Sequence, residues 1–330
     1  MALVPMKQIL DEAAKAGYGV GAFNVNNMEQ IQGIMRAASE TGSPVILQAS
    51  RGALKYTNMV YIKHMAQAAQ EENPDIPIAL HLDHGNSLET CMQAIELGFT
   101  SVMIDGSLKE DSKTPTTFEE NLEVTASVVE YAHKFGATVE GELGTLGGIE
   151  DGVGSGKVKL TDPAEAVKFI EQSGVDALAL AIGTSHGAYK FKAKPKLALD
   201  IISAISDKLP HFPLVMHGSS SVPSELIDII NRYGGKLEST MGVPIPSIQE
   251  AIKRGVRKIN VDTDGRLAMT GAVRRVLTED PAVFDPRKYF GAARQAVYEV
   301  VKGKMEDFGT IGHSQDYEPL SLEDMKKNYK

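Results

Sequence analysis

Eight short apolar runs, each followed by a stretch long enough for a helix and its loops, constrain this chain more than any other feature. The runs are Gly19–Val25, Pro44–Ser50, Pro77–His84, Ser101–Gly106, Ala137–Gly144, Ala177–Gly183, Pro213–Gly218 and Arg257–Asp264. Most are nearly continuous in Val, Ile, Leu or Ala rather than strictly alternating, which suits strands covered on both faces. The spacers read as helices over Met28–Thr41, Tyr61–Glu72, Ser87–Leu97, Thr117–Phe135, Asp162–Ser173, Lys196–Lys208, Ser224–Tyr233 and Ile248–Arg254. Proline follows a helix-start residue at Thr161-Asp162-Pro163 and stands in Ser221-Val222-Pro223-Ser224. Glycine stands where helices should stop, as in Ser173-Gly174 and Arg254-Gly255. Strict β–α alternation eight times over predicts an α/β fold, a closed (β/α)8 TIM barrel. The competing doubly wound sheet would open on a G-x-G-x-x-G turn, which the first unit lacks. No linker-like composition divides the chain, so residues 1–330 are expected to form a single barrel domain. Extra helices over Leu267–Thr278 and Tyr289–Phe308 and a charged C-terminal tail from about Ser314 complete it.

In such a barrel the chemistry sits where strands end, and the strand ends here carry Asn24, Ser50, Asp83-His84, Asp105, Glu142, His186, His217 and Asn260-Asp262. His84, His186 and His217 share one context, an apolar run stopping at histidine followed directly by glycine. Three neutral imidazoles at one rim are the ligand set of an open catalytic zinc site. Asp83, adjoining His84, is placed to act as acid and base beside the metal. His81 precedes Asp83 by two and reads as a hydrogen-bonded rim histidine. Glu140 and Glu142 face the same way along a strand, and a second divalent ion shared by Asp105 and Glu142 would relieve the repulsion. The loop from Gly147 to Gly156 holds five glycines in ten residues. It reads as a mobile lid carrying Glu150 as a sheltered base.

Formal net charge is −9 and no dense Lys/Arg stripe occurs, so nucleic acid is not an expected partner. An acidic chain that binds phosphate must do so with backbone donors and a few placed cations. Gly187, Gly218-Ser219-Ser220 and Asn260-Val261-Asp262-Thr263 offer the backbone donors at the ends of the last three strands. Ser50 and Lys190 suit other phosphate oxygens. The single cysteine, Cys91, excludes an intramolecular disulfide and a cysteine-based zinc site. With no run of 18 apolar residues, the expectation is a cytoplasmic protein with no membrane partner. No lysine sits inside a strand run at the position that a Schiff base would demand.

Five motifs in order carry a resemblance: His81-Leu-Asp83-His84-Gly-Asn, Val-Glu-Gly-Glu142-Leu-Gly, Ala-Ile-Gly-Thr-Ser-His186-Gly-Ala-Tyr-Lys-Phe, Val-Met-His217-Gly-Ser-Ser-Ser and Lys-Ile-Asn260-Val-Asp-Thr-Asp. With Gly-Ala-Phe-Asn24-Val-Asn-Asn and Gln-Ala-Ser50-Arg-Gly, the chain from Met1 to about Phe308 resembles class II, zinc-dependent fructose-1,6-bisphosphate aldolase, in its Calvin-cycle-like branch. The resemblance implies a carbon–carbon lyase of glycolysis, gluconeogenesis or the Calvin cycle, with zinc on His84, His186 and His217. It implies that Asp83 moves the C4 hydroxyl proton and that Glu150 exchanges a proton at C1 of dihydroxyacetone phosphate. Asp105 and Glu142 would form a secondary divalent site. Gly187, Lys190, Gly218, Ser220, Asp262 and Thr263 would receive the ketose-side phosphate, with K+ or Na+ nearby. Asn24 and Asn260 would contact substrate. Ser50 and Arg287, the latter from a neighbouring subunit, would take the other phosphate, so a homodimer or larger homo-oligomer is implied. Close Calvin-type relatives carry a longer insertion in the glycine lid.

Two rivals share the frame. Tagatose-1,6-bisphosphate aldolase uses the same machinery on the opposite C4 stereochemistry, and a non-catalytic metal or phosphosugar binder would need no Asp83. Metal-dependent hydrolysis on the same barrel usually wants an H-x-H pair on the first strand, where Phe23-Asn24-Val25 has none.

Overall fold

A computed structural model describes residues 3–109, 111, 114–145, 159–185, 187, 191, 195–238 and 240–329. The eight expected strands are present: β1 Val20–Asn24, β2 Val45–Ser50, β3 Ile78–Gly85, β4 Ser101–Ile104, β5 Thr138–Leu143, β6 Ala177–Leu180, β7 Leu214–Met216 and β8 Val256–Val261. They pair in sequence order, all parallel, and β8 closes on β1 with Gly21 beside Ile259. The helices are α1 Met6–Ala16, α2 Met28–Thr41, α3 Arg51–Thr57, α4 Met59–Glu72, α5 Leu88–Glu96, α6 Phe118–His133, α7 Pro163–Ser173, α8 Leu199–Ser206, α9 Ser224–Arg232, α10 Ile245–Arg254, α11 Thr263–Glu279, α12 Pro286–Phe308 and α13 Leu322–Met325.

Two apolar cores follow from strands buried on both faces. The larger lies between barrel and helices and includes Phe99, Phe169, Ile62 and Phe308. The smaller fills the barrel's lower interior with Val20, Ala22, Ile46, Ala79, Met103, Ala177, Ala179 and Val215, and Met6, Ile9 and Leu10 of α1 pack into it. Helix α1 has no counterpart among the sequence expectations. It stoppers the N-terminal mouth, where Val4 N–H donates to the Ile78 carbonyl at the start of β3. The polar side chains at the strand ends lie at the opposite, C-terminal end of the barrel.

Several boundaries differ from the sequence reading. The segment after β2 is two helices, broken at Asn58, whose left-handed φ of 77° and side-chain cap on Val60 N–H end one and start the next. Helix α11 begins directly at the end of β8 rather than at Leu267, and α12 begins at Pro286, with Asp285 capping the Arg287 N–H. The tail is docked against the rest of the chain. The Gln8 side chain holds the Glu318 carbonyl and the Leu320 N–H. The Tyr329 ring stacks on His133 at 3.6 Å.

Candidate active site and metal centre

Strand β3 does not stop at Asp83 but runs on to Gly85 with a register shift against β4 between Leu82 and Gly85. His84 adopts φ 53° at that irregularity. A left-handed residue breaks the in-out alternation, so two consecutive side chains join one cluster at the barrel mouth. Arg51, from the first turn of α3, donates Nε–H to the His84 carbonyl at 3.0 Å and braces this backbone.

Asp83 is held by amides from three other strands. Asn24 and Gln48 donate to Oδ2, each at 3.3 Å, and Asn260 donates to Oδ1 at 3.4 Å. The two rings of the centre meet edge to face, with His84 Nε2 and His217 Nδ1 3.1 Å apart. His217 Nε2 lies 2.7 Å from Glu140 Oε1. A carboxylate only accepts, so Nε2 carries the proton and Nδ1 presents a lone pair to the mouth. His84 Nδ1 lies 3.4 Å from Asp105 Oδ2, which leaves Nε2 as the second inward nitrogen. Nitrogens of two histidines from different strands therefore meet at the mouth, close enough to share one bound cation.

Electrostatics point the same way. Burial opposes a charge on His84, yet the carboxylates of Asp83, Asp105 and Glu142 outweigh it and raise its pKa to about 10. Burial pushes Asp83 up, but the positive field of His84, His217 and Lys258 prevails and holds it below the usual carboxylate range. Asp105 is held down in the same way, chiefly against burial by its contact with His84. Glu142 is driven well above that range, by burial first and by Asp105 second. Its buried Oε2 has no hydrogen-bond partner among the described residues. Ligand atoms of Asp83, His84 and His217 lie within 4.8 Å of one another, and so do those of His84, Asp105 and Glu142. Imidazole nitrogens, an orphaned carboxylate oxygen and excess negative field fit a divalent ion of the zinc type.

A layer below, the sequence reading passed over one residue. Lys258 lies within a strand, β8, and is fully buried. Its Nζ is 2.9 Å from Glu140 Oε2 and donates to Asn260 Oδ1 at 2.8 Å. The charge pair anchors the carboxylate that orients His217, and the second bond turns the Asn260 amide so that its NH2 faces Asp83. The alternation of Lys258 and Asn260 along β8 was the available signal, since both face the barrel interior. His81 is buried deeper than a rim histidine, bonded through Nδ1 to Ser101 Oγ at 2.7 Å. Burial, then Lys258, keeps it well below the ordinary histidine range, so it stays neutral.

The remaining expected residues divide. Ser220 is buried, and its Oγ accepts from the Asp262 N–H at 3.2 Å, joining the loops after β7 and β8. Asp262 pairs with Arg266 at 2.6 Å, and Thr263 starts α11. Gly218 takes φ 61°, where a Cβ would lie 2.6 Å from the Ser185 carbonyl oxygen. Gly187 takes φ 82°. Ser50 caps α3 by accepting from the Ala53 N–H. Arg287 stands apart, 89% exposed and paired with Asp285 at 2.7 Å. His186, Glu150 and Lys190, with the glycine lid, lie outside the described residues.

A (β/α)8 barrel with a buried, cation-seeking cluster at its C-terminal mouth defines a class of barrel enzymes that work around a bound metal. Residues 4–313 match the family model described as fructose-bisphosphate aldolase class-II. A fructose-bisphosphate aldolase of Giardia intestinalis is 57% identical over 332 residues, covering all of both chains. A fructose-bisphosphate aldolase class 2 of a Synechocystis species is 53% identical, covering all of this chain and 96% of its own. Among solved structures, the YdjI aldolase of Escherichia coli K12 superposes with a TM-score of 0.75 at 28% identity, covering 95% of this chain and all of the other. The chain belongs to the class II fructose-bisphosphate aldolase family, and it is a carbon–carbon lyase.

Proposed function

We propose that this enzyme cleaves fructose 1,6-bisphosphate reversibly to dihydroxyacetone phosphate and glyceraldehyde 3-phosphate, in keeping with the fructose-bisphosphate aldolases among its relatives. The observation that carries the proposal is Asp83, its carboxylate held by three amides in the same cluster as His84 and His217. Zinc would be held by His84 and His217 together with His186, and when bound it supplies the positive charge that polarises the ketose carbonyl. Asp83 takes the C4 hydroxyl proton as the C3–C4 bond breaks. Glu150 returns a proton at C1. Asn24, Asn260 and Gln48 fix the Asp83 carboxylate, and Asn24 and Asn260 also reach the substrate.

The loops at Gly187, Lys190, Gly218-Ser220 and Asp262-Thr263 receive the ketose-side phosphate, with K+ or Na+ beside them. Ser50 and a neighbouring subunit's copy of Arg287 take the other phosphate. The exposed position of Arg287, away from its own chain's cluster, supports supply from a second copy. Sedimentation should therefore find at least a homodimer, and a monomer at assay concentration would remove Arg287 from the site. Asp105 and Glu142 serve as a second divalent position. The whole chain acts as one barrel domain in the cytoplasm, in glycolysis, gluconeogenesis or the Calvin cycle. No helix among the described residues is long and apolar enough to cross a membrane.

Chelation should abolish cleavage of fructose 1,6-bisphosphate, and added zinc should restore it. Activity that survives complete metal removal would defeat the histidine-centred reading and turn attention to Lys258. Fructose 1,6-bisphosphate should also be cleaved faster than tagatose 1,6-bisphosphate; the opposite order would reassign the sugar.

A further inference from the structure

Behind the loop that follows β7 lies a buried ion pair that the proton chemistry above does not use. Asp264, in the first turn of α11, is fully buried, and Lys304, near the end of α12, is 5% exposed. Their Nζ–Oδ2 distance is 3.0 Å. The Asp264 carboxylate accepts three hydrogen bonds from that loop: Ser221 N–H at 2.9 Å and Ser221 hydroxyl at 3.1 Å on Oδ2, and Val222 N–H at 2.8 Å on Oδ1. Lys304 Nζ donates to the Ser221 hydroxyl oxygen at 2.6 Å.

Val222 stands at φ 48°. A β-branched residue in the left-handed region is strained and persists only where its surroundings enforce it. The enforcement here is Asp264, which captures the N–H groups of two successive residues. Burying two charges is itself expensive, and an apolar pair of the same volume would join α11 to α12 at least as well. An apolar pair would not hold the loop in this conformation. The same loop is tied again just upstream, where the Ser220 carbonyl accepts from Val243 N–H at 3.0 Å and the Ser219 hydroxyl donates to the Met216 carbonyl at 2.9 Å. The segment held between these ties is Gly218–Ser220, directly after His217.

We propose that Asp264 and Lys304 are positioning residues that hold the loop from Gly218 to Val222 in the shape that receives the ketose-side phosphate. The inference rests on the phosphate role given to that loop under Proposed function. Neither residue need touch the ligand; they act through Ser221 and Val222.

The test uses the full-length, zinc-loaded enzyme and its Lys304→Met and Asp264→Asn variants. Dihydroxyacetone phosphate and inorganic phosphate are titrated by calorimetry, alongside steady-state kinetics and metal content. The Kd for dihydroxyacetone phosphate and the KM for fructose 1,6-bisphosphate should rise about tenfold, the scale of couplings carried through a packed network. Inorganic phosphate should weaken in parallel, while kcat and zinc content stay near the parent's. Lys304→Arg, which keeps the charge, should recover most of the affinity. Parental Kd values in a zinc-loaded Lys304→Met enzyme would overturn the inference, whatever happens to its Tm. If neither variant folds, Ser221→Ala removes the hydroxyl between the two charges without unpairing them; a weakened Kd supports the inference and an unchanged one overturns it. A parent enzyme that binds no dihydroxyacetone phosphate would instead overturn the functional reading beneath it.

Discussion

Asp83→Asn should lower kcat by about 10³-fold, within the range that a positioned general base contributes, while zinc content stays at the parent level. Asparagine has nearly the same shape but cannot take the C4 proton. It also presents an NH2 to a site where Asn24, Gln48 and Asn260 all point donors. One of those donors must then turn away, so a modest rise in KM is expected beside the fall in kcat. Steady-state cleavage of fructose 1,6-bisphosphate with metal analysis of the same sample is the check. A variant that keeps its zinc and retains a tenth or more of parental kcat would move the proton chemistry to another group.

The second large effect is on stability. Lys258→Met should cost about 3–5 kcal/mol, the usual penalty for removing one partner of a buried ion pair. Glu140 is fully buried and would be left without its cation. Because Glu140 also holds His217 Nε2, the variant's zinc affinity should fall by about 10- to 100-fold, as for other groups that orient a metal-binding histidine. Denaturant unfolding of the metal-free proteins gives the first number and competition with a chelator gives the second. Pairing the change with Glu140→Gln should recover part of the lost stability, since the orphaned charge is gone, but not the zinc affinity. A single variant as stable as the parent would mean that the pair contributes nothing net.

Local sequence determined much of this protein. Strands buried on both faces write themselves as continuous apolar runs, and a polar group ends each run, so the barrel and the gathering of Asp83, His84, Asp105, Glu142 and His217 at one rim were legible. His217 directly follows the last residue of β7, so its place at the mouth needed no knowledge of distant contacts. Even α12 was visible from its periodicity, with only its first turn missed.

What the local pattern did not reveal was pairing between residues distant in sequence. Lys258 shares a face of β8 with Asn260, but only barrel closure brings it against Glu140, 118 positions away by numbering, where its charge is paired. Asp264 and Lys304 are likewise joined only when α11 folds back along α12. Helix α1 carries an amphipathic pattern, but nothing local tells its apolar face to enter the barrel's lower mouth rather than flank it. The left-handed turn at His84 is the clearest case, since a positive φ is uncommon for any non-glycine residue and this one coincides with the β3–β4 register shift and the bond from Arg51. Periodicity reports which face of an element is buried. The partner on the other side of that face is set by closure of the sheet, and that is a property of the tertiary structure alone.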